Sequence, residues 1–183
     1  MSTADPSAAL AIAATRRWIE RAVIGLNLCP FAKLPYSRDA IRYEISSARD
    51  TTGLLTDLRD ELLNLADANA LEVETCLLIH PHVLGAFLDY NDFLDEADAV
   101  LVELELDGII QIASFHPDYQ FAGTAADAIE NVTNRSPYPM LHLLREASIE
   151  RAVESSIDVD LIPGRNIETL QRLGKEGLQK LWD

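Results

Sequence analysis

Two short apolar runs, residues 73–79 and 109–115, each end in His-Pro. Between them Phe87, Tyr90, Leu94, Ala97 and Leu101 recur at helical spacing. Strand, helix, strand is the pattern that most restricts this fold, because two strands joined through a helix pair in parallel by a right-handed crossover. Proline ends a ladder, so His80 and His116 fall at strand ends. One local conflict bears on this. Val102, Leu104 and Leu106 alternate with acids ahead of Asp107-Gly108, which also reads as a hairpin. The helical period runs from Phe87 to Leu104 and favours the helix, with Gly108 just past its end. The two His-Pro ends then share one edge of the sheet.

The other elements follow from the same periods. Asp5-Pro6 opens a first helix, along which Leu10, Ala14, Trp18, Ala22 and Leu26 recur until Pro30 and Pro35 make a loop. Residues 41–45 alternate and read as a strand. Thr51 or Thr52 caps a second helix carrying Leu54, Leu55, Leu58, Leu62 and Leu65. Ser136-Pro137 opens a helix running to about Ser155, Pro163-Gly164 turns, and Asn166 caps a last helix that Gly174 and Gly177 weaken. With 183 residues, 48% apolar and 25% charged, this is enough chain for one core. The expected fold is a single α/β domain over residues 1–183, with a small, largely parallel central sheet of three or more strands covered by about five helices. Strand order and oligomeric state stay open.

The net charge of −15 argues against nucleic acid or an anionic membrane surface as partner. The charge is uneven: residues 89–107 hold eight acids and no base, whereas residues 1–49 hold seven bases and four acids. Arginines 16, 17, 21, 38 and 42 suit either a local positive pocket or a solvated helix face. Cys29 and Cys76 form no CxxC pair, no apolar run approaches spanning length, and no secretion signal opens the chain; the cytoplasm is the expected location.

Chemistry concentrates in residues 115–145, which hold two His, two Arg and two Tyr. His116, at a strand end with polar neighbours, is the candidate acid or base. Asn134 and Arg135 precede the expected helix start, where a bidentate arginine suits phosphate or carboxylate. Pro137 and Pro139 remove two N–H groups there, so side chains must supply the anion contacts. Tyr138, His142 and Arg145, spaced four and three apart, share a face of that helix. Cys29 is a lower-ranked nucleophile at the end of the first helix, and Cys76, in an apolar strand, is inert. Each of these residues also has a structural reading, as a cap, an ion pair or a core side chain. A metal reading on His80-x-His82 is weak, and no metal or cofactor is expected. Walker, Rossmann and GxSxG motifs are missing.

Residues 27–32 (NLCPFA), 112–117 (IASFHP) and 134–145 (NRSPYPMLHLLR) together resemble an uncharacterised bacterial family, the domain of unknown function numbered 1415, whose members are similar in length to this chain. The resemblance covers most of the chain and implies that these segments are the family's signature, which raises the weight on Cys29. It carries no activity. The chain reads as an enzyme acting on a small anionic metabolite by acid–base chemistry, in hydrolysis or group transfer. The alternative is a non-catalytic module binding a metabolite or a protein.

Overall fold

The computed structural model describes residues 6–154 and 159–182. The order is helix α1 (Pro6–Trp18), a π turn (Ile19–Ile24), α2 (Lys33–Ser37), β1 (Ile41–Ile45), α3 (Thr51–Asp67), β2 (Thr75–Ile79), α4 (Phe87–Glu103), β3 (Ile110–Phe115), a 3-10 turn (Ile129–Asn134), β4 (Met140–Arg145), α5 (Glu146–Glu154), a second 3-10 turn (Val159–Leu161) and α6 (Ile162–Trp182). The expected Asp5 cap and Ser155 helix end lie outside the described residues.

The four strands form a mixed sheet in the order β1-β2-β4-β3. Only β1 and β2 pair in parallel; β4 runs antiparallel to β2 on one side and to β3 on the other. The sheet is therefore mostly antiparallel, not largely parallel. β2 and β3 do point the same way, because each is antiparallel to β4, but β4 is inserted between them. Ile79 and Phe115 both face Met140, so His80 and His116 follow strand ends on the same edge. The His80 N–H donates to Pro139 O at 3.0 Å and the His116 N–H to Asn134 O at 3.2 Å.

The segment after Ser136-Pro137 is the strand β4 and not the expected helix. Residues 140–145 read Met-Leu-His-Leu-Leu-Arg and bury side chains on both faces, so the run lacks the alternation that announces a strand. The prolines carry the signal that was there: each keeps the residue before it extended, which suits a strand entrance.

The residue at each helix boundary sets what is buried. Asp50, rather than a threonine, caps α3: its Oδ1 accepts the Gly53 N–H at 2.8 Å. Leu54, Leu58, Leu62 and Leu65 then line the buried face of α3 and pack with Tyr90, Phe93 and Ala97 of α4 on Cys76, Leu78, Leu141 and Leu143 of the sheet. Each such leucine contributes about 1.5–3 kcal/mol by leaving water. The helix reading of residues 87–103 is the one observed; the chain then turns with Glu105 and Gly108 at positive φ. On the opposite sheet face Trp18, Ile19 and Ala22 pack on Leu77, Ile79 and Met140. Leu10 is 68% exposed and does not belong to that face; Ala11 and Thr15 are buried instead. The π turn is closed by the Gly25 N–H on Glu20 O, where a Cβ at Gly25 would strike the Arg21 carbonyl oxygen. That turn delivers the chain to Cys29. Pro163-Gly164 lies in the first turn of α6, and Gly174, at φ +68°, breaks that helix.

Candidate functional site

A cavity of about 640 Å³ opens on the sheet face that carries α1. Its floor is Ile41, Thr75, Leu77, His142 and Leu144 of the sheet. Trp18, Ile19 and Val23 wall one side, Cys29 to Ala32 with Leu34 and Pro35 another, and Arg145, Ser148 and Ile149 close the end. Most of these side chains are apolar, and the volume suits a small organic molecule. Within it the three segments of the sequence signature meet: Cys29 from the first, Phe115 from the second, His142 and Arg145 from the third.

His142 has a defined tautomer. The Thr75 hydroxyl owns one proton and donates it to Leu143 O at 2.6 Å, since a carbonyl oxygen only accepts. Thr75 Oγ1 also lies 2.7 Å from His142 Nε2, and toward that nitrogen it must therefore accept. Nε2 thus carries the proton, and Nδ1 keeps its lone pair, to which no hydrogen bond from a described residue runs. Burial pushes the imidazole down to about 4, so it is neutral at ordinary pH. The strand alternation that replaces the expected helix brings His142 to the cavity floor beside Leu77, its partner on β2.

Cys29 borders the same cavity. Burial raises its thiol above the ordinary value, opposed by the backbone N–H groups of Phe31 and Ala32. Cys76 sits on the other sheet face with Sγ 3.4 Å from Glu61 Oε2, and its thiol is pushed up by burial and then by that carboxylate. Both cysteines are free thiols.

Arg145 lines the cavity, but its fork is engaged. Nη2 donates to Leu65 O at 2.6 Å, Ala68 O at 2.8 Å and Val73 O at 3.2 Å, closing the end of α3. Burial lowers its pKa. Arg38 and Arg151 also border the cavity and are exposed.

The remaining sequence candidates lie elsewhere. His116 is fully buried among Phe87, Tyr90 and the chain end of β3. Its Nδ1 accepts the Asp118 N–H at 3.0 Å and its Nε2–H donates to Leu84 O at 3.1 Å, which occupies both nitrogens of a neutral ring. Arg135 donates to Ala126 O at 2.6 Å and Tyr119 O at 3.4 Å, holding the 119–126 loop. Tyr138 packs in the apolar cluster with Trp18 and Met140. Asn134 donates from Nδ2 to Ser114 O at 3.1 Å and borders a second, smaller cavity. His80, stacked on Tyr90 at 5.8 Å, donates from Nδ1 to Val83 O and has its Nε2 unpaired. Among the described residues no three His, Cys, Asp or Glu side chains are grouped to hold a metal. No helix among them is long and apolar enough to cross a membrane.

Reading single positions overlooked Thr75, which sets the His142 tautomer. Its signal was weak but present, a hydroxyl opening an otherwise apolar strand. The overlooked aromatic walls, Trp18 and Phe115, pack edge to face at 5.3 Å and read from sequence as plain core.

Fold and cavity define a mixed α/β protein with a ligand-sized chamber on one sheet face. Over residues 10–180 the chain matches the family described as proteins of unknown function, DUF1415, and it belongs to that family. No curated protein and no solved structure matches it.

Proposed function

We propose that the chain is an enzyme acting on a small anionic metabolite in the larger cavity, with His142 as the base and Cys29, which lines the same cavity, as the nucleophile. The observation that carries this is the bare Nδ1 of a neutral imidazole on the floor of an apolar chamber, with the other ring nitrogen pinned. A core histidine normally spends both nitrogens, as His116 does. The apolar walls suit the body of the ligand, and the exposed Arg38 and Arg151 suit its acidic group. An anion beside His142 favours the imidazolium, so a bound acid raises the His142 pKa and readies it to accept a proton. Hydrolysis and group transfer both use a base in this position.

The test is a thermal-shift panel of short carboxylates, butyrate to octanoate, and inorganic phosphate, on the wild type and His142→Gln. A ligand of the folded state raises Tm. The reading expects a carboxylate to stabilise the wild type and the variant to lose most of that shift. No stabilisation of a folded wild type by any of these acids rejects it.

One observation favours a second reading, a non-catalytic binding module. Leu34 and Leu71 line the cavity and are 52% and 74% exposed, an apolar rim that suits capture of an apolar ligand or a protein segment. A stabilising ligand that binds His142→Gln equally well favours that module over the enzyme.

A further inference from the structure

Residues 30–38 supply Pro30, Phe31, Ala32, Leu34, Pro35 and Arg38 to the larger cavity, yet little holds them down. Both roots of the segment are fixed. Leu28 is buried and its carbonyl accepts from Asn166 Nδ2 at 2.8 Å; Ala40 is buried and its carbonyl accepts the Glu74 N–H at 2.9 Å. Just outside the segment Asn27, at φ 54°, and Asp39, at φ 53°, take a backbone conformation that L-residues seldom adopt, so the chain turns sharply at both roots. Between them, α2 buries none of its five residues. Its backbone bonds stay local, as in the Tyr36 N–H on Ala32 O and the Arg38 N–H on Leu34 O. Tyr36 is the exception. Its ring packs on the cluster of Trp18 and Ile19, and its hydroxyl donates to Glu20 Oε1 in the π turn. Among the described residues, that is the one hydrogen bond joining residues 30–38 to an element beyond their roots.

A segment tied down by one side-chain bond opens more readily than the sheet it covers. Leu34 and Leu71, which line the cavity and are exposed, offer apolar surface for closure to bury. Arg38 rides on the same segment, and its guanidinium has no carboxylate partner among the described residues. We propose that residues 30–38 are a lid on the larger cavity, latched by Tyr36 on Glu20. Arg38 makes the lid responsive. An acid in the cavity meets that charge only while the lid is down, and a ligand favours the state that it contacts better. This last step rests on the acid-binding reading; the latch does not.

The test is limited trypsin digestion of the full chain without ligand, following the cut after Lys33 by mass spectrometry. Cleavage there tracks the population of the open lid. Tyr36→Phe keeps the ring and removes the latch, and should be cut about three- to tenfold faster, the worth of one net hydrogen bond. Glu20→Ala should match it, and the double variant should be no faster than either. Glu20→Gln, which keeps an acceptor, should stay near the wild type. Circular dichroism checks that each variant is folded. A second readout is the Cys29 alkylation rate with a bulky maleimide divided by that with N-ethylmaleimide. Both reagents consume the same thiolate, so the ratio reads access rather than pKa, and it should rise in Tyr36→Phe. Unchanged cleavage or an unchanged ratio in folded Tyr36→Phe overturns the lid, and so do additive effects of Tyr36→Phe and Glu20→Ala. Octanoate should slow the cut after Lys33 in the wild type and not in Arg38→Gln. Octanoate that raises Tm without slowing the cut overturns the closing by Arg38. If no acid raises Tm, the proposed function fails while the ligand-free comparison still decides the lid.

Discussion

His142 should make the protein sensitive to mild acid by an amount that the structure sets. Its imidazole titrates near 6.5 in the unfolded chain and at about 4 in the fold. The folded value is the lower one, so the unfolded chain takes the proton first. The stability tied to His142 is therefore complete above about pH 6.5 and is lost as pH falls from there toward 4. For these two values linkage gives a loss of about 0.2 kcal/mol at pH 7 and about 2 kcal/mol at pH 5. His142→Gln keeps an amide that can donate to Thr75 Oγ1 but has no titration of its own. Urea unfolding of wild type and variant at pH 7 and pH 5 isolates the effect, because the other ionisable groups contribute alike to both proteins and cancel in the difference. The wild type should lose about 2 kcal/mol more than the variant between the two pH values. His80, also pushed down to about 4 by burial, remains in both and supplies the acid sensitivity the variant keeps. A variant that loses as much stability as the wild type refutes the buried, neutral His142 on which the proposed base depends.

Two further outcomes follow from the same geometry. Tyr90→Phe removes a hydroxyl that donates to Met140 O at 2.8 Å and accepts the Phe115 N–H at 3.0 Å, stranding two main-chain groups at the β3–β4 edge. It should cost about 2–4 kcal/mol in urea unfolding, and a cost below about 1 kcal/mol contradicts that bridge. Cys29 should react slowly with iodoacetamide at neutral pH and accelerate only as pH rises past the ordinary thiol range, because burial raises its pKa. Rapid alkylation at pH 7 in the native protein, followed by mass spectrometry of the 27–32 segment, would show a thiolate that this structure does not hold.

The legible part of the fold was the part with a clean period. α3 and α4 bury one face each, and residues 41–45 alternate, so these elements could be read in one dimension. β4 could not, because its residues are buried on both faces and a continuous apolar run serves a helix or a central strand equally. Mistaking it put Tyr138, His142 and Arg145 on one helix face. In the strand, His142 and Arg145 fall on alternate sides, and Arg145 serves the end of α3. For the candidate site, Cys29 and His142 were named from residue type, but their common cavity was not visible. His116 and Arg135 have the residue types of a site and are bonded as structural posts.

Composition and period by themselves determined the α/β class, most of the helices that frame the sheet, and two of the three signature segments, the third coming from the family resemblance. Those are local properties, set by side-chain spacing and by the conformational limits of proline and glycine. Tertiary structure decided the strand order, the tautomer of His142 and the Asn166 amide that donates to Leu28 O. Each depends on a partner far along the chain: Thr75 lies 67 residues from His142 and Leu28 lies 138 residues from Asn166. A hydrogen bond over such a distance leaves no trace in the local pattern, because the same side chain reads identically whether its partner is water, a carbonyl or a ligand.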